Sequence, residues 1–152
     1  MKLLYRGKRD GVLYKDFHNK CDNKGKTICL FLNDKDNIFG GYSSIPWTSD
    51  GGSLTSNDCF LFTLTNIYNT EPTKFPYVNK RSVLQRVDLG PTFGAGCDIY
   101  LANNMIDNES NQTNFPYSYK DTLGKGKSLF TGDFNNEYKF LKLKEIEVFS
   151  IS

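Results

Sequence analysis

Four cysteines, one histidine and a strand bearing two glutamates are the side chains here best suited to chemistry. Cys21, Cys29, Cys59 and Cys97 lie far apart, with no Cys-x-x-Cys pair. The chain therefore lacks the spacing of a redox motif or a zinc ribbon, and no metal or cofactor is expected. A reactive thiol must be accessible and have a lowered pKa. Cys21 and Cys97 are the candidates for that role, with His18 as base. Cys29 and Cys59 alternate within apolar runs and are expected to be inert. His18 is the only histidine. It stands two residues from Asp16 in a helical stretch, where the two side chains do not face each other. The plainer alternative is a solvated helix histidine, and no catalytic constellation is expected.

Glu145 and Glu147 lie two apart in KEIEVF, so both carboxylates share one strand face while Ile146 and Val148 share the other. Paired carboxylates can perform acid and base work. With no matching acid partner in view, the simpler reading is an exposed face matched to a basic neighbour such as Lys142 or Lys144.

Residues 90–104, GPTFGAGCDIYLANN, could be mistaken for a phosphate cradle. Gly94 and Gly96 open a G-x-G-x-x-G pattern, but Ile99 stands at the third glycine and a strand-like run follows instead of a helix. Gly126-Lys127-Ser128 ends like a Walker loop, yet residue 121, where its first glycine belongs, is Asp121. No nucleotide is expected. The glycines of the first stretch are read as giving a tight turn and a close approach to a neighbouring strand.

These residues need elements to position them. Leu13, Phe17 and Cys21 recur every four residues and predict a short helix ending near residues 23–25. From Lys26 the period becomes two, with Ile28, Leu30 and Leu32 on one face and Thr27, Cys29 and Phe31 on the other. Both faces read as largely buried. Turn formers at 33–37 lead into Ile38 to Tyr42, predicting a hairpin. Trp47 is expected to anchor the polar loop 43–58. Further strands are predicted at Cys59–Thr65, Val83–Val87, Cys97–Ala102, Tyr138–Leu143 and Glu145–Ile151. Residues 103–122 are predicted as the most mobile loop. The fold expected is mainly β: a two-sheet antiparallel sandwich with one or two short peripheral helices in a single domain over residues 1–152.

Composition narrows the function. The 152 residues carry 19 Lys and Arg against 17 Asp and Glu, a net charge of +2 that is too even for a nucleic-acid footprint. The first residues, MKLLYRGKRD, hold only a short apolar pair. No signal peptide or membrane insertion is read there, and a cytoplasmic location with reduced thiols is expected. The sequons at Asn108 and Asn111 are then idle.

Five segments in order, LLYRGKRDG, DNIFGGYSSIPW, CFLFTLTN, GPTFGAGCDIYLANN and KLKEIEVF, resemble the TLDc domain of the oxidation-resistance proteins. The resemblance spans about residues 3–151 and is closest to the short, domain-only forms. It implies a sandwich of two antiparallel sheets, association with protection from oxidative stress, and docking on the vacuolar proton pump, the V-ATPase, to regulate its assembly or activity. It implies no established reaction. Carried over by position, the family's glycines fall on Gly7, Gly11, Gly40, Gly41, Gly90, Gly94 and Gly96, and its closing strand on Glu145, Glu147 and Phe149. With Trp47 these are the expected fold-support or interface residues. Two alternatives remain: a structural part of another large cytosolic assembly, cytoskeletal or axonemal, and a cysteine-based redox-responsive enzyme.

Overall fold

Period-two alternation builds the centre of the molecule. The structure, a computed structural model, describes residues 1–106 and 109–152. In β2 (Thr27–Asn33) the residues Thr27, Cys29, Phe31 and Asn33 are buried, and the three between them are only half-buried. β3 (Ile38–Ser43) returns antiparallel as the predicted hairpin. Asn33 shapes the turn: its Oδ1 accepts the amides of Lys35 and Asn37, both at 2.9 Å, while its Nδ2 donates to the Phe130 carbonyl at 2.8 Å.

β5 (Phe60–Thr65) and β6 (Thr73–Pro76) extend this hairpin on one side. β9 (Leu143–Ser150) and β1 (Lys2–Arg6) extend it on the other. The result is a six-stranded antiparallel sheet in the order β1-β9-β2-β3-β5-β6. A smaller antiparallel sheet joins β4 (Ser53–Leu54), β7 (Val83–Leu84) and β8 (Thr92–Phe93). The fold is thus mainly β with two antiparallel sheets. Three short helices accompany them: α1 (Gly7–Asp10), α2 (Tyr14–Cys21) and α3 (Ser128–Thr131). Phe17 and Cys21 of α2 are fully buried, as their spacing predicts. Asp16 closes the start of that helix by accepting the Leu13 amide at 3.1 Å.

Aromatic rings fill the space behind the large sheet. Phe39 stacks on Phe130 at 4.8 Å, and Phe75 meets Phe115 at 4.9 Å. Trp47 is buried between Phe17 and Phe93, its Nε1 donating to Thr27 Oγ1 at 2.9 Å. It anchors its loop as expected. Burying each such ring contributes roughly 1.5–3 kcal/mol, so this cluster is the main source of cohesion.

Three expectations need correction. Cys97–Ala102 and Tyr138–Leu143 do not form ladders; they join the rest through single bridges, Phe93 to Ile99, Tyr100 to Gln112 and Gln112 to Phe140. Their apolar alternation records one-sided burial of a connecting segment. The described residues of 103–122 are packed as well, with Met105, Asn111, Thr113, Phe115 and Tyr119 buried. The polar residues read as solvated instead serve backbone groups: the Asn111 side chain accepts the Ala102 amide and donates to the Met105 carbonyl, both at 2.9 Å. Asn108 lies outside the described residues. Finally, only one face of β2 is buried, and the other is half-buried on the outer side of the sheet.

Candidate functional site

The glycine stretch holds backbone. Gly94 adopts φ +90°, a conformation that L side chains rarely adopt, and Asp98 packs where its Cβ would be. The Asp98 carboxylate is fully buried and accepts the amides of Tyr117, Ser118 and Tyr119 at 2.8–3.2 Å. Burial pushes its carboxyl up from the usual range, and these three amides pull it partly back. Gly90 lies beneath Met105, and Gly96 beneath the Tyr117 ring. At the Walker-like loop, Asp121 takes the amides of Leu123, Gly124 and Gly126 at 3.0, 2.8 and 2.6 Å. A carboxylate of the chain itself thus holds the nest of amides that a phosphate would need.

Among the described residues no hydrogen bond joins His18 to a cysteine. His18 is 7% exposed; its Nδ1 lies 2.7 Å from Asp22 Oδ1, and its Nε2 lies 2.9 and 2.8 Å from the carbonyls of Arg86 and Leu89. Asp22 Oδ2 also receives the Ser49 hydroxyl at 2.5 Å. The pair fastens the end of α2 to two loops, and its i,i+4 spacing was readable, whereas the carbonyl acceptors 68 and 71 residues away were not. Cys21, Cys29 and Cys59 are buried and Cys97 is partly so. Burial pushes the Cys21, Cys29 and Cys97 thiols up, away from the reactive thiolate. Among the described residues no group of three or more His, Cys, Asp or Glu could hold a metal ion, and no helix is long and apolar enough to cross a membrane.

The remaining expected residues lie on or under the large sheet. Glu145 and Glu147 point to its outer face, in register with Leu32 and Leu30. Their partners are not Lys142 or Lys144. Arg6 reaches Glu147 at 2.6 Å, and Glu145 accepts the amides of Lys8 and Ile146 at 3.0 Å. Lys144 pairs with Asp36, and Lys142 lies 3.7 Å from Glu109. Adjacent β-strand pairing outcompeted proximity in sequence, because β1 runs beside β9. Gly7 packs by Ile106 and Tyr5, Gly11 by Asp16, Gly40 by the Cys29 carbonyl and Gly41 by the Phe93 ring.

That outer face carries a row across all six strands: Arg6, Glu147, Leu30, Gly40, Phe62 and Lys74. Next to it runs an apolar row of Phe149, Ile28, Tyr42 and Phe60. Tyr42 and Phe60 stack at 5.0 Å. Phe149 on β9 and Phe60 with Phe62 on β5 bound an open groove of about 500 Å³ over Ile28 and Leu30. Leu64 at its rim is 41% exposed. Lys74 is the one charged side chain in the lining, which Met1 also joins; its Nζ lies 4.3 Å from the Phe60 ring centroid. Apolar surface of this extent can pack against another molecule.

No curated protein matches the chain. A family model described as the TLDc domain matches residues 1–152. With the two antiparallel sheets and that full-length match in hand, the chain belongs to the TLDc domain family.

Proposed function

We propose that this protein is a non-catalytic interaction domain that docks on the V-ATPase through the outer face of its large sheet and thereby regulates assembly or activity of the pump. The observation that carries the reading is the apolar groove over Ile28 and Leu30, left open on the outer face of the large sheet between Phe149 and the Phe60 and Phe62 rings. Contiguous exposed apolar surface is costly in water and marks interaction sites. Membership of the TLDc domain family favours the pump as the partner. Any protection from oxidative stress is then exerted through docking, a reading favoured over thiol chemistry because burial pushes the Cys21 and Cys97 thiols up.

The test is binding of the purified domain to intact, detergent-solubilised V-ATPase. The parent domain should co-migrate with the pump, and Leu30→Glu should abolish this while leaving the melting temperature within a few degrees. Failure of the parent to bind an intact pump would remove the V-ATPase from the proposal. Recovery of cytoskeletal or axonemal components in its place would make the domain a structural part of that assembly.

A further inference from the structure

We infer that the groove receives an amphipathic helix from a partner protein, one that carries an acidic residue beside its apolar stripe. The inference rests on the docking reading above and names what docks. Three observations on the face favour this occupant. The first is shape. The walls stand on β9 and β5, which are separated by β2 and β3. Strands lie about 4.8 Å apart, so about 14 Å separates the wall strands, and a helix with side chains is about 10–12 Å across. The second is chemistry: Ile28, Leu30, Phe60, Phe62 and Phe149 present only hydrocarbon and aromatic surface to the groove. An apolar stripe at i, i+3, i+4 and i+7 is the matching surface of a helix laid in a groove.

The third observation is charge. On the β9 side the carboxylates are already matched, Glu147 by Arg6 and Glu145 by two amides. Lys74, in register with Phe62 on the opposite wall, rests its ammonium on the Phe60 ring, and no carboxylate pairs with it among the described residues. Among the described residues Lys74 is thus a cation with no carboxylate partner at the edge of an apolar trough. An Asp or Glu flanking the stripe of a bound helix would meet it over partly desolvated surface, where a charge pair contributes more than in open water.

The probe is a displayed library of 18-residue helices selected against the folded full-length chain. The expected winners carry the helical apolar spacing with Asp or Glu at the stripe edge. A selected peptide should lose at least about tenfold in affinity on Leu30→Glu or Leu64→Glu, the second variant serving if the first perturbs folding. Lys74→Glu should cost about three- to tenfold, and exchanging the peptide acid for lysine should restore binding to that variant. Winners without the helical spacing, peptides indifferent to the groove variants, an empty selection, or indifference to Lys74→Glu would each overturn the inference. So would reversible self-association abolished by Leu30→Glu, which assigns the face to a second copy, or saturable binding of oleate to the groove with no helix selected. Pump binding that survives Leu30→Glu would also sink the helix and move docking off this face, leaving only the choice of pump. Helix selection without pump binding would sink only the choice of pump.

Discussion

At the scale of single residues, polar side chains buried against backbone do more for this fold than any charge pair on its surface. Asp98 is the clearest case. Its carboxylate gathers three successive amides at 117–119 and fills the space left by Gly94. Removing it strands those donors out of reach of water, at about 1–3 kcal/mol each. We expect Asp98→Ala to lower unfolding free energy by about 3–5 kcal/mol in urea denaturation, a large share of the 5–15 kcal/mol typical of a domain. Asp98→Asn, which keeps one acceptor oxygen, should fall between the two. The cysteines give a second prediction at this scale. With burial raising the thiols of Cys21, Cys29 and Cys97, the native chain at neutral pH should react with a disulfide reagent no faster than free cysteine, and Cys97 should be the first site labelled. Mass spectrometry of partially labelled chain decides this, and accelerated labelling at Cys97 would restore the redox reading. The inertness of Cys29 was legible in its apolar run, whereas the role of Asp98 was not. Asp98 looks like any strand-edge aspartate until the 117–119 segment, some 20 residues later, folds back over it.

At the scale of elements, the legible parts were those in which one period governs both local conformation and burial. β2, β3, β5 and β9 each hold at least six residues, long enough for a strand to be read from its apolar and β-branched run, and β2 alternates over its whole length. The two-residue strands β4, β7 and β8 have no room for a period. Cys97–Ala102 alternates without pairing as a strand, because Ile99 and Leu101 are buried from a segment held by isolated bridges. The groove was hidden for a related reason. Ile28, Leu30 and Leu32 are as apolar as the buried side of β2, so composition alone does not show which of its two faces is left open. The FGG step of β3 makes a further prediction. Gly40 and Gly41 face opposite sides of the sheet, the first beneath Phe62 and the second beneath Phe93. A Cβ on Gly41 would stand 2.6 Å from the Phe93 ring, which Trp47 holds from the other side. Gly41→Val should therefore cost about 1–3 kcal/mol of overpacking and lower the melting temperature by about 2–12 °C in a calorimetric scan. An unchanged transition would mean that Phe93 yields freely and that the contact does not hold the two sheets together.

At the scale of the whole molecule, the chain ends meet. β9, the last strand, lies between β1 and β2, so the large sheet stays divided until residues 143–150 are in place. Leu143, Ile146 and Val148 are each no more than 1% exposed and pack into the central core. Their burial contributes roughly 1.5–3 kcal/mol apiece, comparable in sum with the net stability of an ordinary domain. Deleting β9 would also leave β1 without its sheet partner and uncover one edge of β2, a row of unsatisfied amides and carbonyls prone to pair with another chain. Truncation after residue 142 is therefore expected to abolish the cooperative thermal transition seen by near-ultraviolet circular dichroism, and to yield a chain that aggregates on expression. Removing only Ile151 and Ser152 should be mild. That trim costs a single backbone hydrogen bond, from the Ile151 amide to the Lys26 carbonyl at 2.9 Å, worth about 0.5–1.5 kcal/mol. A truncated chain 1–142 that still unfolded cooperatively would show that β2, β3, β5 and β6 with the small sheet form a self-sufficient core. The closing strand would then be an appended wall of the groove and not the element that completes the domain.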